Sequence, residues 1–104
     1  YAGISDKASH AYNNRRTART ETMYLNGGHA YVYLCYGIHS LFNIVTSVEL
    51  NPHAVLIRAI EPLSGIESMK MRTGKIALNT KTGVGPGNVS KLLAIKLAHS
   101  GIDL

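Results

Sequence analysis

The chain has 104 residues, 45% of them hydrophobic and 16% charged, with 11 Lys and Arg against 6 Asp and Glu for a net charge of +5. That size and balance suit one domain with a modest core and exclude a disordered chain, while no apolar run approaches the roughly 20 residues of a membrane span. A single cysteine excludes an internal disulfide and fits a reducing compartment, and the positive excess suits an anionic partner such as nucleic acid, or a basic surface that stays solvated.

Residues 1 to 28 are polar and loop-rich, with a short helical turn expected over Asp6 to Ala11. Arg15, Arg16 and Arg19 lie close together, and a flexible arginine cluster can follow a phosphate backbone because contact there needs charge more than fixed shape. A solvated basic loop is the alternative reading. Asn26-Gly27-Gly28 is a turn signal leading into the next run.

Residues 29 to 43 organise the chain. Tyr31, Tyr33 and Tyr36 stand in a run of β-branched, aromatic and apolar residues that ends at Gly37, and a second run, Leu41 to Thr46, follows at once. Two such runs around a short Gly-containing connection predict a β-hairpin. Strand alternation puts Tyr31, Tyr33 and Cys35 on one face and Val32 and Leu34 on the other. With Gly37-Ile38-His39 as the loop, Tyr36 pairs with Ser40 and Tyr33 with Asn43, so that an aromatic plate and a carboxamide sit side by side. A slip of one residue would turn Asn43 to the opposite face.

Glu49 to Pro52 reads as a connection and Ala54 to Ile60 as a third, largely buried strand. Arg58 is the exception in that strand; a guanidinium there needs an acidic partner such as Glu61 or Glu67, or a cleft to open onto. Ser64 and Glu67 make a capping box for a helix that Gly74 stops. Residues 75 to 84 read as a polar surface loop. Gly85-Pro86-Gly87-Asn88 then opens a second helix, with Asn88 as N-cap, that runs to Gly101. A glycine-rich turn before a helix exposes backbone amides to an anion, a weak signal alone. The fold expected is α+β, a single mixed domain with an antiparallel β-sheet core, a central hairpin and flanking helices.

No metal site is expected, because His10, His29, His39 and Cys35 lack ligand spacing. Nor is a thiol nucleophile, because Cys35 lies mid-strand among apolar neighbours. No signal-peptide pattern is present, and a start at Tyr1 rather than Met suggests a piece of a longer protein.

Several motifs resemble the alkyladenine (3-methyladenine) DNA glycosylase family. Tyr31-Val32-Tyr33-Leu34-Cys35-Tyr36-Gly37, with Asn43 seven residues after Tyr36, is similar to its central hairpin. Tyr1-Ala2-Gly3 with His10 nine residues on, the run from Leu56 to Pro62, and Gly85-Pro86-Gly87 match in the same order, so that residues 1–104 resemble part of one such domain. Ala18 replaces the family's usual Pro, and Asn88 its frequent Lys.

The resemblance implies an enzyme that extrudes an alkylated purine from duplex DNA and hydrolyses its N-glycosidic bond in base-excision repair. It implies Tyr36 as the wedge and Tyr1 and Tyr33 as plates around the flipped base. His10 would contact the base or its sugar phosphate, and Asn43 would read the purine edge or exclude guanine-like edges. Stacking a cationic alkylpurine on tyrosine faces adds ~0.5 to 2 kcal/mol. Arg58 would help hold the attacking water beside a general-base Glu that the family carries two residues before Tyr1. Glu21, Glu49, Glu61 and Glu67 do not stand in that context, so the 104 residues alone are expected to be inactive. No lysine matches a Schiff-base nucleophile, which makes the enzyme monofunctional.

No cofactor or membrane is implied, only double-stranded DNA carrying an alkylated or deaminated purine, bound by a monomer. Its place would be the cytoplasm, with the nucleoid, in a bacterium, or the nucleus in a eukaryote. The alternatives are a non-catalytic DNA-binding module and an RNA- or nucleotide-binding domain with an aromatic pocket.

Overall fold

The tyrosine-rich run forms β1 (Ala30–Cys35), which pairs antiparallel with β2 (His39–Val45); β3 (Ala54–Leu56) joins the far side of β2, giving the order β1-β2-β3. The structure is a computed structural model that describes residues 2–75, 77–79 and 81–104. Two helices, α1 (Ile66–Thr73) and α2 (Pro86–Leu93), complete the expected α+β arrangement. Among the described residues no helix is long and apolar enough to cross a membrane.

The hairpin register differs from expectation by two residues. Cys35 pairs with His39, Tyr33 with Leu41 and Tyr31 with Asn43, so the loop is Tyr36-Gly37-Ile38. Tyr36 and Gly37 both adopt left-handed conformations, with φ of 54° and 67°, and the Ile38 N–H closes the turn on the Cys35 carbonyl at 3.1 Å. Such left-handed residues let a three-residue loop follow the twist of its strands. Because the shift is even, every side chain keeps its face. Asn43 therefore stays on the tyrosine face, opposite Tyr31 rather than Tyr33.

That face carries Tyr31, Tyr33, Leu41, Val45 and Ala54, with Cys35 and Leu56 at its margin. The N-terminal segment covers it with Ala11, Met23 and Tyr24. This segment has little regular structure. Side chains hold its turns: Asp6 Oδ1 accepts the Ala8 N–H at 2.9 Å, and Ser9 Oγ accepts the Ala11 N–H at 3.1 Å. Asp6 to Ala11 forms single hydrogen-bonded turns rather than a helix, with the Ser9 N–H donating to the Asp6 carbonyl at 3.0 Å, and short 3-10 turns occupy Tyr12–Asn14 and Glu21–Tyr24. Tyr24 buries its ring and donates its hydroxyl to Asn14 Oδ1 at 2.9 Å, as a buried tyrosine requires.

Ahead of the second helix, two boundaries depart from expectation. The third strand stops at Leu56, at the edge of the sheet, and Val55, on the face away from Ala54 and Leu56, is 50% exposed. Beyond it the backbone pairs with residues 83–85: Ile60 N–H donates to Gly83 O at 2.9 Å and Gly85 N–H to Arg58 O at 2.7 Å. The Ser64–Glu67 capping box does not form. Gly65, left-handed at φ 68°, is the residue before α1, so Ser64 lies one position too early, and Glu67 pairs with Lys70 at 3.1 Å. Gly74 ends α1 as expected.

The second helix starts earlier and ends earlier than expected. Gly85 precedes it and Pro86 fills its first position, where a missing N–H costs nothing. Asn88 therefore sits inside the first turn and donates back to Val84 O at 2.8 Å. The helix ends at Ala94, left-handed at φ 54°, and Leu97–His99 forms a separate 3-10 turn. Val89 and Leu92 are fully buried, and Arg72 of α1 donates to the Leu92 carbonyl at 2.6 Å, at the C-terminal end where α2 leaves carbonyls unpaired. Residues 101–104 return along β1: Gly101 N–H donates to Ala30 O, Ala30 N–H to Ile102 O and Leu104 N–H to Gly28 O, each at 2.8 Å. This covers part of an otherwise open sheet edge.

Gly3 locks the N-terminal segment onto the connection before β3. Its N–H donates to His53 Nδ1 at 3.0 Å, and a Cβ there would lie 1.5 Å from the Pro52 carbonyl oxygen. Backbone must move to admit it, so Gly3→Ala should cost ~3 kcal/mol or more. Urea unfolding checks this; a change within ~0.5 kcal/mol would mean that the contact is not kept in solution.

Candidate functional site

The N-terminal segment lays His10 against the tyrosine face of the sheet. His10 Nδ1 lies 2.8 Å from the Tyr31 hydroxyl. Its ring meets Tyr33 edge-to-face, with centroids 4.5 Å apart at 80°, and Tyr31 at 6.2 Å and 82°. The two tyrosine rings, two residues apart on one strand, are 5.6 Å apart and tilted by 40°. These offset and edge geometries are those that aromatic quadrupoles favour.

Burial, and then the positive charge of Arg19, push the His10 pKa below its ordinary 6.5. The imidazole is therefore neutral at pH 7. One ring nitrogen then carries the proton and the other accepts, and which of Nδ1 and the Tyr31 hydroxyl donates to the other follows from that tautomer.

Asn43 is fully buried beneath this cluster. Its Nδ2 donates to the carbonyls of Tyr31 at 3.2 Å and Leu41 at 3.3 Å. Its Oδ1 has no hydrogen-bond partner among the described residues. A buried acceptor left unpaired costs about 1–3 kcal/mol.

Tyr36 stands at the hairpin tip, 92% exposed. A cleft separates the tip from the start of α2, with Tyr36, Ile38 and His39 on one wall and Pro86, Gly87 and Lys91 on the other. Gly87 permits this approach, since a Cβ there would lie 3.1 Å from His39 Nδ1.

The three clustered arginines have distinct places. Arg19 is exposed and holds its guanidinium carbon 5.5 Å from the Tyr33 ring centroid. Arg16 lies over Tyr24 at 4.8 Å and forms an ion pair with Glu21, whose carboxyl it holds below the usual range by donating a hydrogen bond. Arg15 is exposed. Arg58 is exposed beyond β3, and among the described residues it forms no ion pair with Glu61 or Glu67. Its carbonyl ties the strand to Gly85. Tyr1 lies outside the described residues.

The fold thus gathers His10, Tyr33 and Asn43 on one sheet face with Arg19 beside them. Two features escaped the sequence reading: Tyr31 as the anchor of His10, and the position of Arg19 over Tyr33. Strand alternation signalled that Tyr31 shares the face of Tyr33, but nothing local signals which loop crosses that face.

The family model for methylpurine-DNA glycosylase (MPG) matches residues 1–104. A Natranaerobius thermophilus protein carrying the name "Putative 3-methyladenine DNA glycosylase" is 49% identical over 106 residues, covering 100% of this chain and 53% of that protein. Proteins of the same name from Borreliella afzelii and Bacillus cytotoxicus are 46% identical over 104 residues and 47% over 110, with 51% and 53% of their lengths covered. The chain belongs to the methylpurine-DNA glycosylase family, and it spans about half the length of the curated relatives it matches.

His10 also links pH to stability. Its folded pKa is depressed, so its contribution is fully present above the unfolded value of about 6.5 and is lost as pH falls from there through the folded value. The urea midpoint should fall between pH 7.5 and pH 5.5, and His10→Gln should reduce that fall. An identical fall in the variant would show that the ring is not held neutral by its surroundings.

Proposed function

We propose that the protein is a DNA glycosylase that flips an alkylated purine out of duplex DNA and hydrolyses its N-glycosidic bond with water, as a step in base-excision repair. Residues 1–104 form part of one glycosylase domain, which acts as a monomer in the cytoplasm on nucleoid DNA. The observation that carries this reading is the contrast within one hairpin: Tyr31 and Tyr33 are buried against His10, while Tyr36 stands 92% exposed in a left-handed loop. A bulky ring in the left-handed region costs about 1–2 kcal/mol, and in solvent no packing offsets it. An intercalating wedge would use such a ring to fill the gap left by an extruded base.

The extruded purine stacks between Tyr33 and Tyr1. Neutral His10 donates to or accepts from the base or its sugar phosphate. Asn43 has already committed its amide nitrogen to two carbonyls, so what remains is an acceptor, which favours reading a donor on the purine edge. Arg58 orients the attacking water; a guanidinium stays protonated and cannot take its proton. The general base is the carboxylate that the family resemblance puts two residues before Tyr1, worth ~10²- to 10⁴-fold in rate. Glu21 and Glu67 are occupied in ion pairs. Arg15, with its exposed guanidinium, follows the phosphate backbone.

The test is Tyr36→Ala in the full-length protein. Binding to a lesion in duplex DNA should weaken at least tenfold more than binding to the same lesion in a single strand, since only the duplex has a stack to open. Equal losses on both substrates would remove Tyr36 from the wedge role.

A further inference from the structure

Arg19 already occupies the ring on which the damaged base would stack. Its guanidinium carbon is 5.5 Å from the Tyr33 centroid, inside the distance at which a cation is drawn to an aromatic face. The side chain is exposed, comes from the N-terminal segment rather than the sheet, and sits beside Thr22, Leu34 and Leu97 at the margin of β1. Its charge is felt inside the cluster, because it is the second cause of the lowered His10 pKa. Arg16, three residues earlier, is neutralised by Glu21; no ion pair of Arg19 occurs among the described residues.

We propose that Arg19 is a specificity-determining residue that sets which charge class of damaged base the Tyr33 surface accepts, by placing a full positive charge beside it. This rests on the reading of Tyr33 as the stacking plate. A purine alkylated at a ring nitrogen carries a positive charge; a deaminated purine is neutral. Both would push the guanidinium aside, but only the cationic base is repelled by it. Two unit charges a few Å apart, screened as strongly as in bulk water, repel by an amount worth about threefold to tenfold in selectivity. The attraction of a cationic base for tyrosine faces is thereby offset, and neutral lesions compete on more equal terms. The guanidinium so displaced remains within the basic segment that would face DNA phosphates.

The experiment compares the full-length protein with its Arg19→Gln and Arg19→Lys variants. Single-turnover release is measured from duplexes carrying 7-methylguanine, a cation, or hypoxanthine, which is neutral. Arg19→Gln should raise the ratio of cationic to neutral release about threefold to tenfold, while Arg19→Lys, which keeps the charge, should leave the ratio within about twofold. Equal changes on both lesions in Arg19→Gln would overturn the proposal and leave Arg19 as a phosphate contact.

A second measurement needs no DNA. The His10 pKa, followed by NMR, should rise in Arg19→Gln yet stay below 6.5, since burial is the larger cause, and should not rise in Arg19→Lys. An unmoved His10 pKa in Arg19→Gln would show that the charge does not reach the cluster and would overturn the proposal whatever the activity. Release of neither base by the unaltered protein would instead sink the proposed function, and the NMR titration would still decide where the Arg19 charge acts.

Discussion

The contact between His10 and the Tyr31 hydroxyl joins two parts of the chain that have little else in common. The N-terminal segment has almost no regular structure of its own, and the hairpin has no cover of its own on its tyrosine face. A 2.8 Å contact and an edge-to-face meeting with Tyr33 fix the loop on the sheet at the point where the candidate chemistry gathers. The same burial that excludes water there lowers the His10 pKa, so the packing of the loop and the protonation state of the site are one property. Gly3 performs the parallel task at the other end of the segment, where only hydrogen fits beside the Pro52 carbonyl.

The opposite side of the hairpin is held by α2. Gly87 leaves room for His39, so the exposed tip sits beside the start of a helix rather than in solvent alone, and the Gly85 N–H donates to the Arg58 carbonyl to tie that helix to the backbone beyond β3. The tip can therefore be strained and exposed at Tyr36 while its base stays paired through Cys35 and His39. Residues 101–104 serve the same end by pairing with the outer edge of β1.

Much of this was legible in the sequence because sheet alternation is a strict period. The faces of Tyr31, Tyr33, Cys35 and Val32 follow from it, and an error of two residues in register left them intact. The register itself was missed because it depends on Tyr36 adopting a left-handed conformation, a choice that a tyrosine does not advertise. The capping box at Ser64 failed for a similar reason: a left-handed Gly65 intervenes. The apolar run from Ala54 to Ile60 predicts a longer strand than forms: β3 stops at Leu56, the backbone at Arg58 pairs with Gly85 instead, and the Arg58 side chain is exposed. The positions of His10 on Tyr31 and Arg19 on Tyr33 join residues far apart in sequence, and no local pattern encodes them. What the motifs did signal was the family, which the match over residues 1–104 bears out.

The face formed by His10, Tyr33 and Asn43 is the proposed seat of a damaged base. The most direct measurement is side-chain NMR of the full-length protein titrated with two duplexes, one carrying a non-cleavable analogue of an alkylated purine and one undamaged. The ring signals of His10 and Tyr33 and the carboxamide of Asn43 should shift with the damaged duplex and stay in place with the undamaged one. Equal shifts with both, or shifts confined to Arg15 and other exposed residues, would contradict it.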